Sequence, residues 1–290
     1  KIAESHLIDF IKLNKTRHTI KKMCITLNIS RSSYYEKSTR KISKTEIRRE
    51  EIKKEVKSIF KDSKCRYGAP KIHKVLESKD VKCSMQLVQR IMKSEGIKSI
   101  VFKKYKHQNS KPSPATAGNI LSREFEAKGL GEKIVGDITY IKTEKDGWCY
   151  LASFIDLYSK RIVGWAYDKN MTTELVLKAL ERTVSNVEIK EGCILHTDLG
   201  SQYTSEKYTN RAKELGFTLS YSRKGNPYDN ACIESFHAII KKECIYTMKS
   251  KDFEESRKVI FEYIESWYNR KRIHSKLGYL SPIEFEKKYS

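Results

Sequence analysis

From residue 133 onward the apolar residues recur with two alternating periods, and this constrains the fold more than any other feature. "KIVGDITYI" (133–141) reads as a strand, and "WCYLASFIDLYSKRIVGWAYD" (148–168) as two strands joined by a turn near Tyr158 and Ser159. "TTELVLKALERTV" (172–184) is an amphipathic helix. "CILHTD" (193–198) is a short buried strand that ends on an acid. A helix with a glycine stop (205–217), a strand (218–222) and a helix from about Asp229 to Thr247 complete the series. Three strands, helix, strand, helix, strand, helix predict an α/β body, a mixed sheet with flanking helices.

Ahead of this body every apolar pattern is helical. Ile20, Met23, Cys24 and Leu27 stand at helical spacing, and Asn28-Ile29-Ser30 then leads into Arg31-Ser32-Ser33-Tyr34. An apolar helix, a short turn, a serine cap and a polar second helix make a helix-turn-helix pattern. A plain helical hairpin has the same spacing. Arg31, Ser32, Ser33 and Tyr34 are the candidate DNA contacts. Residues 44–62 form a charged helix with Ile47, Ile52, Val56 and Ile59/Phe60 as its apolar stripe. A second helix-turn-helix candidate follows, from Pro70–Ser78 to a helix capped by Ser84. The expected organisation is a helix-turn-helix region (1–40), a second helical DNA-binding region (41–102), a linker rich in Ser, Pro, Ala and Gly (103–130), a catalytic core (131–248) and a helical tail (249–290).

The charge follows this division. The 290 residues carry a net charge of +22. Residues 1–110 hold 29 Lys/Arg against 11 Asp/Glu, a net of +18, which leaves +4 for the other 180. Such a balance speaks of partners rather than fold, and double-stranded DNA is the partner it suits. No apolar run reaches the roughly 20 residues of a membrane span, and no signal peptide is evident. The chain is expected to be cytoplasmic, bacterial and nucleoid-associated. Seven scattered cysteines without CxxC spacing read as reduced, mostly buried thiols. The first residue, Lys1, is not Met, which suggests a trimmed or processed chain or part of a longer fusion.

Three acids carry the chemical argument. Asp137 interrupts an otherwise apolar strand, where an unpaired charge is costly. Asp198 ends a later strand in "LHTDLGSQYTS". Glu234 opens the helix behind the turn-forming "GNPYDN". Strand ends and helix starts converge in open α/β sheets. Carboxylates gathered there repel unless a cation neutralises them, and Mg²⁺ or Mn²⁺ suits such oxygen ligands. Two such ions suit an in-line phosphoryl displacement. A chain with 36 acids also offers many unrelated triples.

"GDITYI", "HTDLGSQYTS", "GNPYDNACIESF", the D–x60–D–x35–E spacing and "RIHSKLGYLSPIEFE" resemble bacterial insertion-sequence transposases of the OrfB type. "ISRSSYY" and "RYGAPKIHKVL" resemble the helical DNA-binding region of that family. The likeness runs from about residue 18 to 290. It implies an RNase H-like, integrase-type core in which Asp137, Asp198 and Glu234 form the metal-binding DDE triad. It further implies hydrolysis of one strand at the terminal inverted repeats, direct attack by the exposed 3′-OH on target DNA, and no covalent enzyme intermediate. A homo-oligomer that joins two ends and an OrfA-type upstream-frame protein or fusion are the implied protein partners.

Lys241 lies seven residues after Glu234 and Asn230 four before, so the row Asn230, Glu234, Lys241 is expected to face substrate. Lys241 would hold a phosphate, or else be a solvated lysine. Asp229 or Asn230 is expected to cap the helix, and "GNPYDN" to act as a mobile hinge. Asp156 reads as a turn-capping acid and His196 as packed. His237, one turn from Glu234, receives little weight, and His274 receives no role. Two rival readings are a DNA-binding regulator whose core is inactive and an RNase H-type nuclease without strand transfer.

Overall fold

The computed structural model describes residues 4–39, 43–101, 118–223, 227–247 and 252–289. At the front, α1 (Glu4–Asn14), α2 (Ile20–Thr26) and α3 (Arg31–Thr39) close on a small core of their own, made by Ile8, Ile11, Met23, Cys24, Ile29 and Tyr34. Asn28 takes the left-handed backbone (φ 54°) that its turn requires. Ser30 caps α3 by accepting from the Ser33 amide at 3.0 Å.

The next helices are α4 (Lys44–Asp62), α5 (Ala69–Ser78) and α6 (Met85–Ser94). Ser43 and Glu46 form a reciprocal capping box at the start of α4, and Ser84 accepts from the Leu87 amide at the start of α6. Ile52, Val56 and Ile59 of α4 are buried. Ile47, read as part of the same stripe, is exposed.

The body is a five-stranded sheet of β1 (Lys133–Lys142), β2 (Trp148–Asp156), β3 (Ile162–Asp168), β4 (Ile194–Thr197) and β5 (Thr218–Tyr221), in the order β3-β2-β1-β4-β5. β1, β2 and β3 pair antiparallel, whereas β4 joins β1, and β5 joins β4, in parallel. This is the RNase H-like mixed sheet, and its strands and helices follow one another along the chain in the expected sequence. One face holds Ile134, Ala152 and Phe154 under α7 (Thr173–Asn186) and the pair α8 (Ser201–Thr204) and α9 (Glu206–Glu214). The other holds Val135, Ile141, Cys149, Leu151 and Ile155 under α10 (Ala231–Glu243) and the tail.

The tail comprises α11 (Phe253–Phe261), a π-helical stretch Glu262–Tyr268 and α12 (Pro282–Tyr289). Tyr263, Ile264, Trp267 and Tyr268 share one apolar core with α10, that sheet face and α4–α6. Residues 118–130, which the sequence assigns to the linker, also pack: Leu121 is buried and its amide donates to Ser220 Oγ at 3.1 Å. Among the described residues none of the seven cysteines forms a disulfide. Among the described residues no helix is long and apolar enough to cross a membrane.

Candidate active site

Strand register brings the first two acids together. Val135 of β1 pairs with His196 of β4 in parallel. Two residues beyond that pair, Asp137 stands in β1 and Asp198 just past the end of β4, where the ladder opens. The neighbouring Gly136 faces the other side of the sheet, where a Cβ would lie 2.2 Å from the Phe154 ring of β2. Asp137 points to the face covered by α10, among the apolar residues of its own strand, and sits directly opposite Ser153 of β2. Its Oδ1 accepts from the Ile138 amide at 2.8 Å. Asp198 follows β4, and its Oδ1 accepts from the Gly200 amide at 3.0 Å.

α10 crosses above this pair and carries Glu234 in its first turn. The charges sense one another. Burial pushes the Asp198 carboxyl above its ordinary value, and Asp137 pushes it further, against the Gly200 amide. Burial and then Asp137 raise Glu234 in the same way. Lys241 is lowered by burial, with Asp137 opposing. Asp137 is thus the charge that Asp198, Glu234 and Lys241 all feel. Among the described residues no three His, Cys, Asp or Glu side chains stand close enough, as placed, to hold a metal ion. The donor chemistry still fits a hard cation: of the three carboxylates, two are raised by burial first and then by the Asp137 charge, and such a set gains from a positive charge between them.

Three expected contacts are corrected. Asn230 does not continue the row through Glu234 and Lys241. Residues 227–230 form a 3₁₀ turn, Asn230 leaves helical phase (φ −111°, ψ 18°), and its side chain is buried. Its Oδ1 has no hydrogen-bond partner. Neither Asn230 nor Asp229 caps α10. Asp229 is fully buried and spends its oxygens on Arg223, Arg123 and Asn119, at 2.7–3.1 Å. Those bonds join both ends of the loop before α10 to the segment ahead of β1. Residues 224–226, which include the first two of the six residues of the expected hinge, lie outside the described residues. Tyr34 is a core residue of the first helical unit, 4% exposed, because that small unit needs the ring to fill its interior. Arg31 and Ser32 are exposed on the first turn of α3, with the Ser32 and Ser33 hydroxyls bonded to Ser30.

Among the histidines, the structure adds one to the site. His237 is buried on the sheet side of α10, with Nδ1 3.4 Å from Asp137 Oδ2 and Nε2 2.8 Å from Ser153 Oγ. Its signal in the sequence was the Glu-x-x-His spacing, which puts it one turn from Glu234. His196 is packed as expected: it bonds Ser220 Oγ at 2.8 Å and is pushed down to about 4 by burial. His274 is packed on Tyr268 beside Arg272 and pushed down to about 3, by burial first and then by that guanidinium. Asp156 caps its turn by accepting from Gly131, Tyr158 and Ser159.

Residues 128–227 and 215–282 match two integrase core domain families, and residues 47–105 match an HTH-like domain. The chain is 39% identical over 249 residues to the transposase for insertion sequence element IS904 of Lactococcus lactis, covering 86% of this chain and 98% of that one. It is 36% identical over 283 residues to transposase InsF for insertion sequence IS3A of Escherichia coli, covering 96% and 98%. Among solved structures it is similar to the HTLV-2 integrase catalytic core domain in complex with magnesium, with a TM-score of 0.44 and 13% identity, over 56% of this chain and 99% of that one.

Proposed function

The chain belongs to the insertion-sequence transposases that carry an integrase core, and from that premise we propose that Asp137, Asp198 and Glu234 are its catalytic carboxylates, acting with Mg²⁺ or Mn²⁺ on the terminal inverted repeats of its own element. The observation that carries this reading is electrostatic: Asp198 and Glu234 are both raised, by burial first and then by Asp137, and among the described residues no guanidinium opposes the rise. The three would hold two divalent ions. Bound there, the ions supply positive charge to the entering and leaving oxygens of an in-line displacement.

The chain's own groups position the nucleic acid. Lys241, two turns beyond Glu234, holds a phosphate oxygen as a point charge. Arg31, Ser32 and Ser33 at the start of α3 meet the duplex, and the basic front supplies salt-sensitive affinity. In the first step a water oxygen attacks the phosphodiester at the element end. The bond to the 3′ oxygen breaks, that oxygen takes up a proton to become the 3′-OH, and the proton lost by the water passes to solvent. In the second step the freed 3′-OH attacks a target phosphodiester, so one P–O bond forms as another breaks. The displaced 3′ oxygen takes up a proton. Two ends must meet for integration, so the end-bound state is a multimer.

The test is a strand-transfer assay with oligonucleotides that carry the element's own ends. Products are expected with Mg²⁺ or Mn²⁺ and not with chelator. Glu234→Gln should lower the rate by ~10³-fold or more, the scale on which loss of a preorganised electrostatic group acts. Unchanged activity in that variant refutes the assignment.

A further inference from the structure

His237 spans a cross-strand pair. Asp137 of β1 and Ser153 of β2 are direct partners in the antiparallel ladder, and one imidazole reaches both. Nε2 lies 2.8 Å from Ser153 Oγ, and Nδ1 lies 3.4 Å from Asp137 Oδ2. Ser153 is fully buried and His237 is 6% exposed, so the bond between them is shielded from solvent, whereas Asp137 is partly exposed. When the Ser153 hydroxyl donates to Nε2, the ring proton stays on Nδ1 and faces the carboxylate. Asp137 Oδ1 already accepts from the Ile138 amide. The carboxylate therefore accepts from the Ile138 amide at one oxygen and has the His237 ring nitrogen 3.4 Å from the other. The tilted contact of the His237 ring with Phe236, at 5.7 Å between centroids, restrains the imidazole in turn.

We propose that His237 is the positioning residue for Asp137, holding the remaining lone pairs of that carboxylate toward Asp198 and Glu234, with Ser153 fixing its tautomer. The proposal rests on the assignment of Asp137 as a metal-binding carboxylate. Hydrogen-bonded partners of ligating carboxylates typically change metal affinity 10- to 100-fold when removed. A histidine that only filled space beneath α10 would change stability and leave affinity alone.

The test measures Mn²⁺ binding to the whole chain without DNA, from the paramagnetic resonance signal of the free ion. His237→Leu should weaken binding by about 10- to 100-fold. His237→Asn keeps an N–H near the Nδ1 position and should recover most of the loss. His237→Gln places its amide near the Nε2 position, serves Ser153 instead, and should stay weak. Ser153→Ala should weaken binding less than His237→Leu. Wild-type affinity in His237→Leu overturns the proposal. If that variant does not fold, equal affinities of His237→Asn and His237→Gln overturn it instead. Asp137→Asn separates the two levels: wild-type binding there overturns the assignment of Asp137 itself, and the positioning role falls with it.

Discussion

Asp229 and Asp198 both carry a carboxylate into an enclosed place, and their neighbours drive them in opposite directions. Arg223 holds Asp229 well below the ordinary carboxylate range, against some burial, with Arg123 adding to it. Asp198 has no such partner and is raised by burial and Asp137. Asp229→Asn should cost on the order of 3 kcal/mol in urea denaturation, the low end for a broken buried pair because Arg223 and Arg123 are partly exposed. The sign with pH follows. A depressed folded pKa contributes stability that is complete above the unfolded value near about pH 4 and is lost as pH falls below it. The variant should therefore show a shallower loss of stability on acidification; an unchanged acid limb contradicts the clamp. Asp137 and Asp198 were legible because each is an acid in or against an apolar strand. The Asp229 clamp was not, since Arg123 and Asn119 lie over a hundred residues away and only the fold brings them near. His237 was undervalued for the same reason: Ser153 is 84 positions distant.

Elements were legible where the pattern is local. Period-two runs gave β1 to β3, and Ser84 marked the start of α6. The start of α10 was not, because a 3₁₀ turn ahead of it removes Asn230 from helical phase. How α7 lies on β3 was equally hidden, and it depends on a missing side chain. A Cβ on Gly164 would stand 2.1 Å from Thr183 Oγ1 and 2.3 Å from the Ala179 carbonyl oxygen. The second contact is backbone, so it cannot be relieved by a rotamer change. Gly164→Ala should push α7 off the sheet and cost about 2 kcal/mol or more by overpacking. A denaturation midpoint equal to that of the parent chain contradicts this account of the helix–sheet contact.

At the scale of the molecule, α4–α6 are fixed to the core through the far end of the same helix that carries Glu234. Glu243 is buried with Arg272, whose guanidinium makes three bonds of 2.8–3.1 Å, and it also accepts from Tyr263 and Trp267. Burial alone would raise Glu243, yet Arg272 and Lys71 hold it below its ordinary value. Arg66 donates to the Glu243 carbonyl, and the Tyr67 hydroxyl bonds Lys271 and Ile273. Glu243→Gln leaves Arg272 buried without its anion and should destabilise by about 3–5 kcal/mol; a loss under about 1 kcal/mol, the scale of an exposed pair, contradicts the hub. The +18 charge of the front was read from the sequence as a docking surface, whereas the attachment of α4–α6 to the core through Arg66, Tyr67 and a shared apolar cluster was not legible. Binding to duplex DNA should fall steeply with salt, with a log–log slope of about −5 for roughly six phosphate contacts. A flat response removes the basic front from the account.

The central claim is that Asp137, Asp198 and Glu234 share divalent ions. An anomalous difference map from crystals soaked in Mn²⁺ tests it most directly. The account predicts Mn²⁺ density between these three carboxylates and its loss in Glu234→Gln. Mn²⁺ bound elsewhere in an active protein, with the three carboxylates bare, would contradict it.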